Sequence, residues 1–523
     1  MKRTLATVVV LVFCFVLAPA VSMLMAQSSQ TFYVKAKLSV DNEVDPPAGL
    51  VGYNASGSAR ARITVNRDAG GAITSGVVTF DVVYQFPGAV TLTGFHIHSG
   101  AQGVNAPVVV NSGLTSTLDA DGVGSMSFTT PSLSTAAQLT ALNGLVATPH
   151  LYYMNLHTTD FPGGVIRGQC TSETYFYKAN LSPTNEVPAI AGSTASASVL
   201  VTLDITRDSS GNITSGAVLF DASYLFPGGA TFTGFHIHTG RAGENGPVVI
   251  SSGLSSTVDA TGAGGITKAI SLPTTQTVLD TLKAVITNPV GHYVNLHTTI
   301  SPGGAVRGQL VEASQSSSIP YALDDGIFRS NLGIQNLTNL PGLVVVSLAG
   351  ENGSGSAMAV PVPARGFVQL GNVNNLLGVG PLGVARLDAD QHVEAFVSTI
   401  ENATNTPYVI PMMSKGTRLA VAVVTNLGGR YVSSLVVSNE GRAAATVDIL
   451  ARDISGAVAG QLTGVTIPTG GFFYRADILT ALGVSSGYGP LEIRSTNGQP
   501  VSALSLVINA ASNRGSIMTS REF

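Results

Sequence analysis

Six histidines at repeat-equivalent positions carry the chemistry that is most legible in this chain. His96 and His98 lie two apart in Gly94-Phe95-His96-Ile97-His98, and His236 and His238 lie two apart in Gly234-Phe235-His236-Ile237-His238. Residues two apart in a strand point to one face, so each pair projects together while Phe95, Ile97 and their counterparts face a core. A third histidine follows His96 and His236 at the same interval of 61 residues, His157 in one copy and His297 in the other. His157 shares a strand face with Asn155. Were the two strands neighbours, three imidazoles would converge around an open position, a donor set suited to zinc or copper. The same histidines could instead hydrogen-bond Asn155, Asp81 or backbone carbonyls as a structural cluster, and both readings stay open at this point. His150, His292 and His392 have no repeat counterparts, so they are expected at the surface or in incidental packing.

Two arginines accompany the histidines. Arg167 and Arg307 follow Gly-Gly turns and precede Gly-Gln. They are expected to pair with a carboxylate of their own domain, Asp81 and Asp221 respectively, or to guide an anion beside a metal. Glu43 and Glu186 read as capping or structurally paired residues. The chain has no Gly-x-Ser-x-Gly, phosphate loop, dinucleotide fingerprint or His-Glu-x-x-His, and its Asp-containing turns do not space like a calcium loop. No catalytic residue is therefore assigned, and a non-catalytic extracellular binding or structural role leads; the alternative is a copper or zinc protein with a three-histidine site in each copy and weak redox activity.

The elements that must hold these residues come as long repeats. The Gly-Phe-His-Ile-His block, the Asn-Leu-His-Thr-Thr block and Pro162-Gly163-Gly164-Val165-Ile166-Arg167-Gly168-Gln169 all recur 140 residues later. Asn42-Glu43-Val44 recurs as Asn185-Glu186-Val187. Stretches such as Arg60-Ala61-Arg62-Ile63-Thr64-Val65 alternate in character and run into turn clusters such as Asp68-Ala69-Gly70-Gly71, the pattern of antiparallel strands in a sandwich or barrel. One amphipathic stretch per copy, Ser134 to Val146 and Thr274 to Ile286, predicts a helix. A weaker repeat fills the C-terminal part, with Gly366-Phe367 answering Gly471-Phe472 and Leu376-Leu377-Gly378 answering Ala481-Leu482-Gly483. The expected organisation is a leader over 1–26, repeats over 32–171 and 175–312, a linker over 313–319, and two sandwiches over 320–413 and 418–520.

Composition bounds the compartment and the partners. Lys2 and Arg3, an apolar run from Leu5 to Leu17 and Ala18-Pro19-Ala20 describe a secretory signal peptide, cleaved after Ala20 or Ala26. Its removal would leave Cys170 as the one cysteine, without an internal disulfide, and it reads as a small packing residue at the end of a strand. Charged residues make up 11%, the formal net charge is −4 and no basic block occurs, which argues against nucleic acid. No later run is long and apolar enough for a membrane span. The expected partner is an extracellular protein or surface ligand; sugar binding has little support because the chain lacks Trp platforms.

The blocks over 32–171 and 175–312 resemble the CHRD domain, named after its occurrence in chordin. The motifs that carry the resemblance are Asn-Glu-Val-Pro at Asn185–Pro188, Gly-Phe-His-Ile-His, Gly243-Glu244-Asn245-Gly246-Pro247-Val248-Val249, and Asn-Leu-His-Thr with Pro-Gly-Gly and Arg-Gly-Gln. In the first copy Ala106 stands where the second has Gly246, and Asp45 precedes Pro46. The resemblance implies a sandwich-like extracellular module of a kind common in bacterial secreted proteins. More locally, Gly-Phe-His-Ile-His is similar to the copper-ligand strand of Cu/Zn superoxide dismutases, and residues 163–170 are similar to their later Gly-x-x-x-Arg and Cys signature. That likeness implies a shared fold and places His157 as a copper ligand. The stretch from Gly100 to Leu114 holds no His or Cys for a bridging histidine or zinc loop. The fold class expected is thus all-β: four tandem sandwich-like domains, the first two superoxide-dismutase-like with one short helix each.

Overall fold

The computed structural model describes residues 28–208, 210–313, 318–441, 443–511 and 515–523. The leader read over 1–26 lies outside the described residues. Strands dominate, and the fold is sandwich-like and all-β, with a few short helices. Ser56–Arg67 shows why. It buries Ala59, Ala61, Ile63 and Val65 completely and alternates them with polar residues, so one face meets a core and the other is free to carry charge. Its hairpin to Ile73–Gln85 turns on Asp68, whose Oδ1 accepts from the N–H groups of Gly70 and Ala72, both at 2.9 Å. The second copy turns the same way on Asp208.

In the first copy the strand order is Val108–Asn111, Val90–His98, Tyr153–Thr158, Ile166–Gln169, Ser28–Ser39, Ser56–Arg67, Ile73–Gln85, Val123–Thr129, with Thr117–Asp119 beside Val90–His98. The two histidine-bearing strands are therefore hydrogen-bonded neighbours. The second copy repeats this order in two five-stranded sheets. The expected helices form as Ala136–Ala147 and Gln276–Thr287. The first is capped by Thr135 and Gln138 and buries Ala141, Leu142 and Leu145. It lies close against Ile73–Gln85 because Gly76 has no Cβ, which would stand 2.8 Å from Leu142 Cδ1.

The C-terminal part departs from expectation in two places. Residues 314–317 of the expected linker lie outside the described residues, while Ser318 and Ile319 already belong to the strand Ser318–Leu323. Residues 318–411 build two four-stranded sheets, but the eight strands that follow join in one sheet, because Gly515–Glu522 pairs with both Arg418–Asn426 and Val501–Asn509. Val436, Phe472 and Leu504 pack into the same apolar cluster as Ile319, Val346 and Leu387, so these two parts share a core. The first copy meets the third part through charged side chains: buried Lys37 donates to the carbonyl of Asp390, and Lys35 and Arg60 both reach the exposed Asp388, at 2.8 and 2.9 Å. No helix among the described residues is long and apolar enough to cross a membrane.

Candidate metal centre

Strand register brings the predicted histidines together. In the ladder between Val90–His98 and Tyr153–Thr158, His96 stands opposite Asn155, His98 opposite Tyr153 and Gly94 opposite His157. Opposed residues share a face, so the three imidazoles meet on one side of the sheet. Ring centroids are 5.8 Å apart for His96–His98, 4.9 Å for His96–His157 and 5.8 Å for His98–His157. The second copy gives 5.7, 4.9 and 5.6 Å for His236–His238, His236–His297 and His238–His297. In each cluster one ring nitrogen per histidine lies within 4.8 Å of the others. A tetrahedral site with bonds of about 2.0–2.1 Å needs an inward movement of under about 1 Å per ring.

The hydrogen bonds around the rings decide which nitrogens are free. His98 Nδ1 lies 2.8 Å from the carbonyl of Ala106, and His157 Nδ1 lies 3.0 Å from that of Pro162. A carbonyl only accepts, so both Nδ1 atoms carry the proton and both Nε2 atoms present a lone pair. Those Nε2 atoms are buried with no hydrogen-bond partner, as is Nδ1 of His96. His238, His297 and His236 repeat the arrangement atom for atom. Burial and the neighbouring His157 and His98 lower the His96 pKa to about 4, and burial lowers those of His98 and His157. Neutral imidazole is the ligating form.

Local sequence explains the placement. The ring of His96 folds back over Gly94, where a Cβ would stand 2.6 Å from Cε1; Gly234 serves His236 in the same way. The Pro162-Gly163-Gly164 turn supplies the carbonyl for His157. Gly164, at φ +127°, tucks against Asn155, leaving no room for a side chain.

The arginine expectation is corrected. Arg167 does not meet Asp81, which instead accepts from Ser127 Oγ at 2.8 Å. Arg167 is 2% exposed and donates to the carbonyls of Ala101 and Val104 and to Asn105 Oδ1. Arg307 likewise holds Arg241, Glu244 and Asn245, and Asp221 bonds Thr267, Asn339 and Arg365. With its guanidinium so engaged and buried, neither arginine can guide an anion. The carboxylate near each is Glu43 or Glu186, which accepts from Asn155 or Asn295 at 3.4 Å. Burial raises both glutamate pKa values to about 7, against the opposing pull of the arginine.

Sequence reasoning missed Tyr153, Tyr293, Asn105 and Asn245. Period two would have found the tyrosines, since Tyr153, Asn155 and His157 occupy one face. His392, expected at the surface or in incidental packing, is buried with Nε2 against the carbonyl of Val201. His292 is buried with Nδ1 on the carbonyl of Asn288, and His150 meets Thr214. Cys170 is fully buried, and burial pushes its thiol pKa up. A cavity of about 1230 Å³ between Tyr33, Glu173, Asp388 and Arg521 is lined by both charge signs and lies away from the histidines.

No curated protein matches the chain. A family model described as the CHRD domain matches residues 34–170 and 177–310, just over half its length.

Proposed function

The chain belongs to the CHRD domain family, and on that footing we propose that it is a secreted, non-catalytic binding protein holding one copper or zinc ion in each CHRD domain. The ligands are His96, His98 and His157 in the first and His236, His238 and His297 in the second. One observation carries the reading: three buried imidazole lone pairs converge without a donor, and the same atoms do so in both copies. The likeness of the Gly-Phe-His-Ile-His strand to the copper-ligand strand of Cu/Zn superoxide dismutases agrees with it. Three neutral ligands leave the charge of a divalent ion uncompensated and one position open, and the half-buried His96 and His236 leave that side accessible to an exchangeable ligand.

In this reading the N-terminal residues act as a leader, the CHRD domains are two modules ahead of a C-terminal part whose halves share a core, and the partner is an extracellular protein or surface ligand. Titration of the full chain with copper(II) and with zinc(II), read by equilibrium dialysis and metal analysis, tests it. Two ions per chain are expected, falling to one in His98→Gln or His238→Gln. A stoichiometry near zero, or one that neither substitution changes, overturns it.

A further inference from the structure

A closed ring of contacts surrounds the ligand His98. Arg167 sends three hydrogen bonds into one loop, to Ala101, Val104 and Asn105, at 2.9 to 3.2 Å. Its guanidinium lies 3.4 Å over the centroid of the Tyr153 ring. That ring stacks on His98 with centroids 4.6 Å apart and planes within 7°. The Tyr153 hydroxyl accepts from the N–H of Ala106 at 3.2 Å and faces its carbonyl at 3.3 Å. The same carbonyl takes the Nδ1 proton of His98. Gln169 holds the start of the loop through the carbonyl of Gly100 at 2.8 Å. The second copy rebuilds every contact: Arg307 lies 3.4 Å over Tyr293, Tyr293 stacks on His238 at 4.8 Å and 10°, and Tyr293 holds Gly246, whose carbonyl takes the His238 proton at 3.0 Å.

We infer that Arg167 and Tyr153, and equally Arg307 and Tyr293, are positioning residues that lock His98 and His238 in the tautomer and direction that present Nε2 to the metal. The inference deepens the metal reading above and rests on it. A free imidazole populates both tautomers, and only the one protonated at Nδ1 leaves Nε2 able to ligate. The carbonyl of Ala106 selects that tautomer, the Tyr153 face fixes the ring plane, and Arg167 pins both the loop and the tyrosine. Burying a guanidinium without a directly bonded carboxylate is costly, and anchoring a loop alone does not call for it. A planar cation that both stacks on an aromatic and forks into three acceptors does, and lysine cannot supply that.

The full chain carries its own control, because a change in one copy leaves the other as an internal reference. Arg167→Lys and Tyr153→Phe are titrated with copper(II) against a competing chelator. The His98 ring nitrogens of the metal-free protein are followed by ¹⁵N NMR. In Arg167→Lys one of the two copper sites should weaken 10–100-fold, the usual effect of losing an outer-shell partner, while the other keeps its affinity. His98 should then show a mixture of tautomers, and Tyr153→Phe should show the same with a smaller loss. Two unchanged copper sites, or a His98 that stays wholly protonated at Nδ1 in both variants, overturns the inference. If the wild-type chain takes up neither copper nor zinc, the metal reading fails by itself, and the NMR measurement still decides whether Arg167 and Tyr153 set the tautomer.

Discussion

The two CHRD copies agree to within about 0.2 Å in the spacing of their histidine rings, yet elsewhere their sheets differ in charge. In the first copy one sheet face carries Lys35, Lys37, Arg60 and Arg62. In the second, Leu200 and Thr202 stand at the positions of Arg60 and Arg62, and Asp204 stands at the position of Thr64. Asp81 and Asp221 make the contrast sharpest. They are equivalent in sequence, but Asp81 meets a serine of its own sheet, whereas Asp221 is buried and recruits Asn339 and Arg365 from the third part of the chain. Duplication has kept the histidine side and its clamp intact while the opposite side specialised for docking.

The largest effect should come from the docking side. Asp390→Ala removes a buried carboxylate that lies 3.8 Å from Lys37 and accepts from Ser58 Oγ and from the Leu343 N–H, while Lys37 keeps the Asp390 carbonyl; the stranded donors and the broken buried pair should cost about 3–5 kcal/mol. Chemical denaturation measures this; a loss under about 1 kcal/mol would mean that the charged face does not support docking. Copper binding should be unchanged. Gly94→Ala works on the other side. Its Cβ would press into the His96 ring, with a stability loss of about 1–3 kcal/mol from overpacking and weaker copper at one site only. Gly163→Ala, which has open space around it, should be silent in the same assays.

The aspartate pair tests the divergence directly. Asp221→Ala strands the donors of Thr267 and Asn339 and should cost about 1–3 kcal/mol, against under about 0.5 kcal/mol for Asp81→Ala. Equal costs would show that the docking contacts carry no weight. The smallest effect concerns the buried glutamates. Folded Glu43 and Glu186 hold a proton up to about pH 7, whereas an unfolded glutamate releases it near its ordinary 4.5. Their contribution is therefore present below pH 4.5 and lost as pH rises toward and through 7. Glu43→Gln and Glu186→Gln should gain stability relative to wild type between pH 4.5 and 7.5. Denaturation midpoints at both ends of that range check it, and unequal gains would reveal a further difference between the copies.

Much of the histidine site was legible because it depends on short periods. The two-residue spacing of His96 and His98 and the repeated interval to His157 needed only one assumption, that the two strands pair, and they do. The helices were legible for the same reason. Arg167 was misread because charge suggests a carboxylate partner, while its actual acceptors are backbone carbonyls, which have no letter in a sequence. Asp81 and Asp221 look alike until a residue more than a hundred positions away reaches one of them. The last eight strands join in one sheet chiefly through Gly515–Glu522, which bridges two others, a long-range pairing that local alternation does not encode.

Register in the first copy places Lys35 directly opposite Arg60, two like charges on neighbouring strands, with Asp388 held between them. Like charges so opposed disfavour the pairing of their strands. The ribosome makes Ser28–Ser39 and Ser56–Arg67 some 320 residues before Asp388, so during synthesis this hairpin must form against its own repulsion or wait. The second copy, with Leu200 opposite Lys178, carries no such delay. The domain that emerges first thus carries a like-charge pair whose counter-ion is made much later, so the strands behind its histidine cluster gain that support only when the chain's second half arrives.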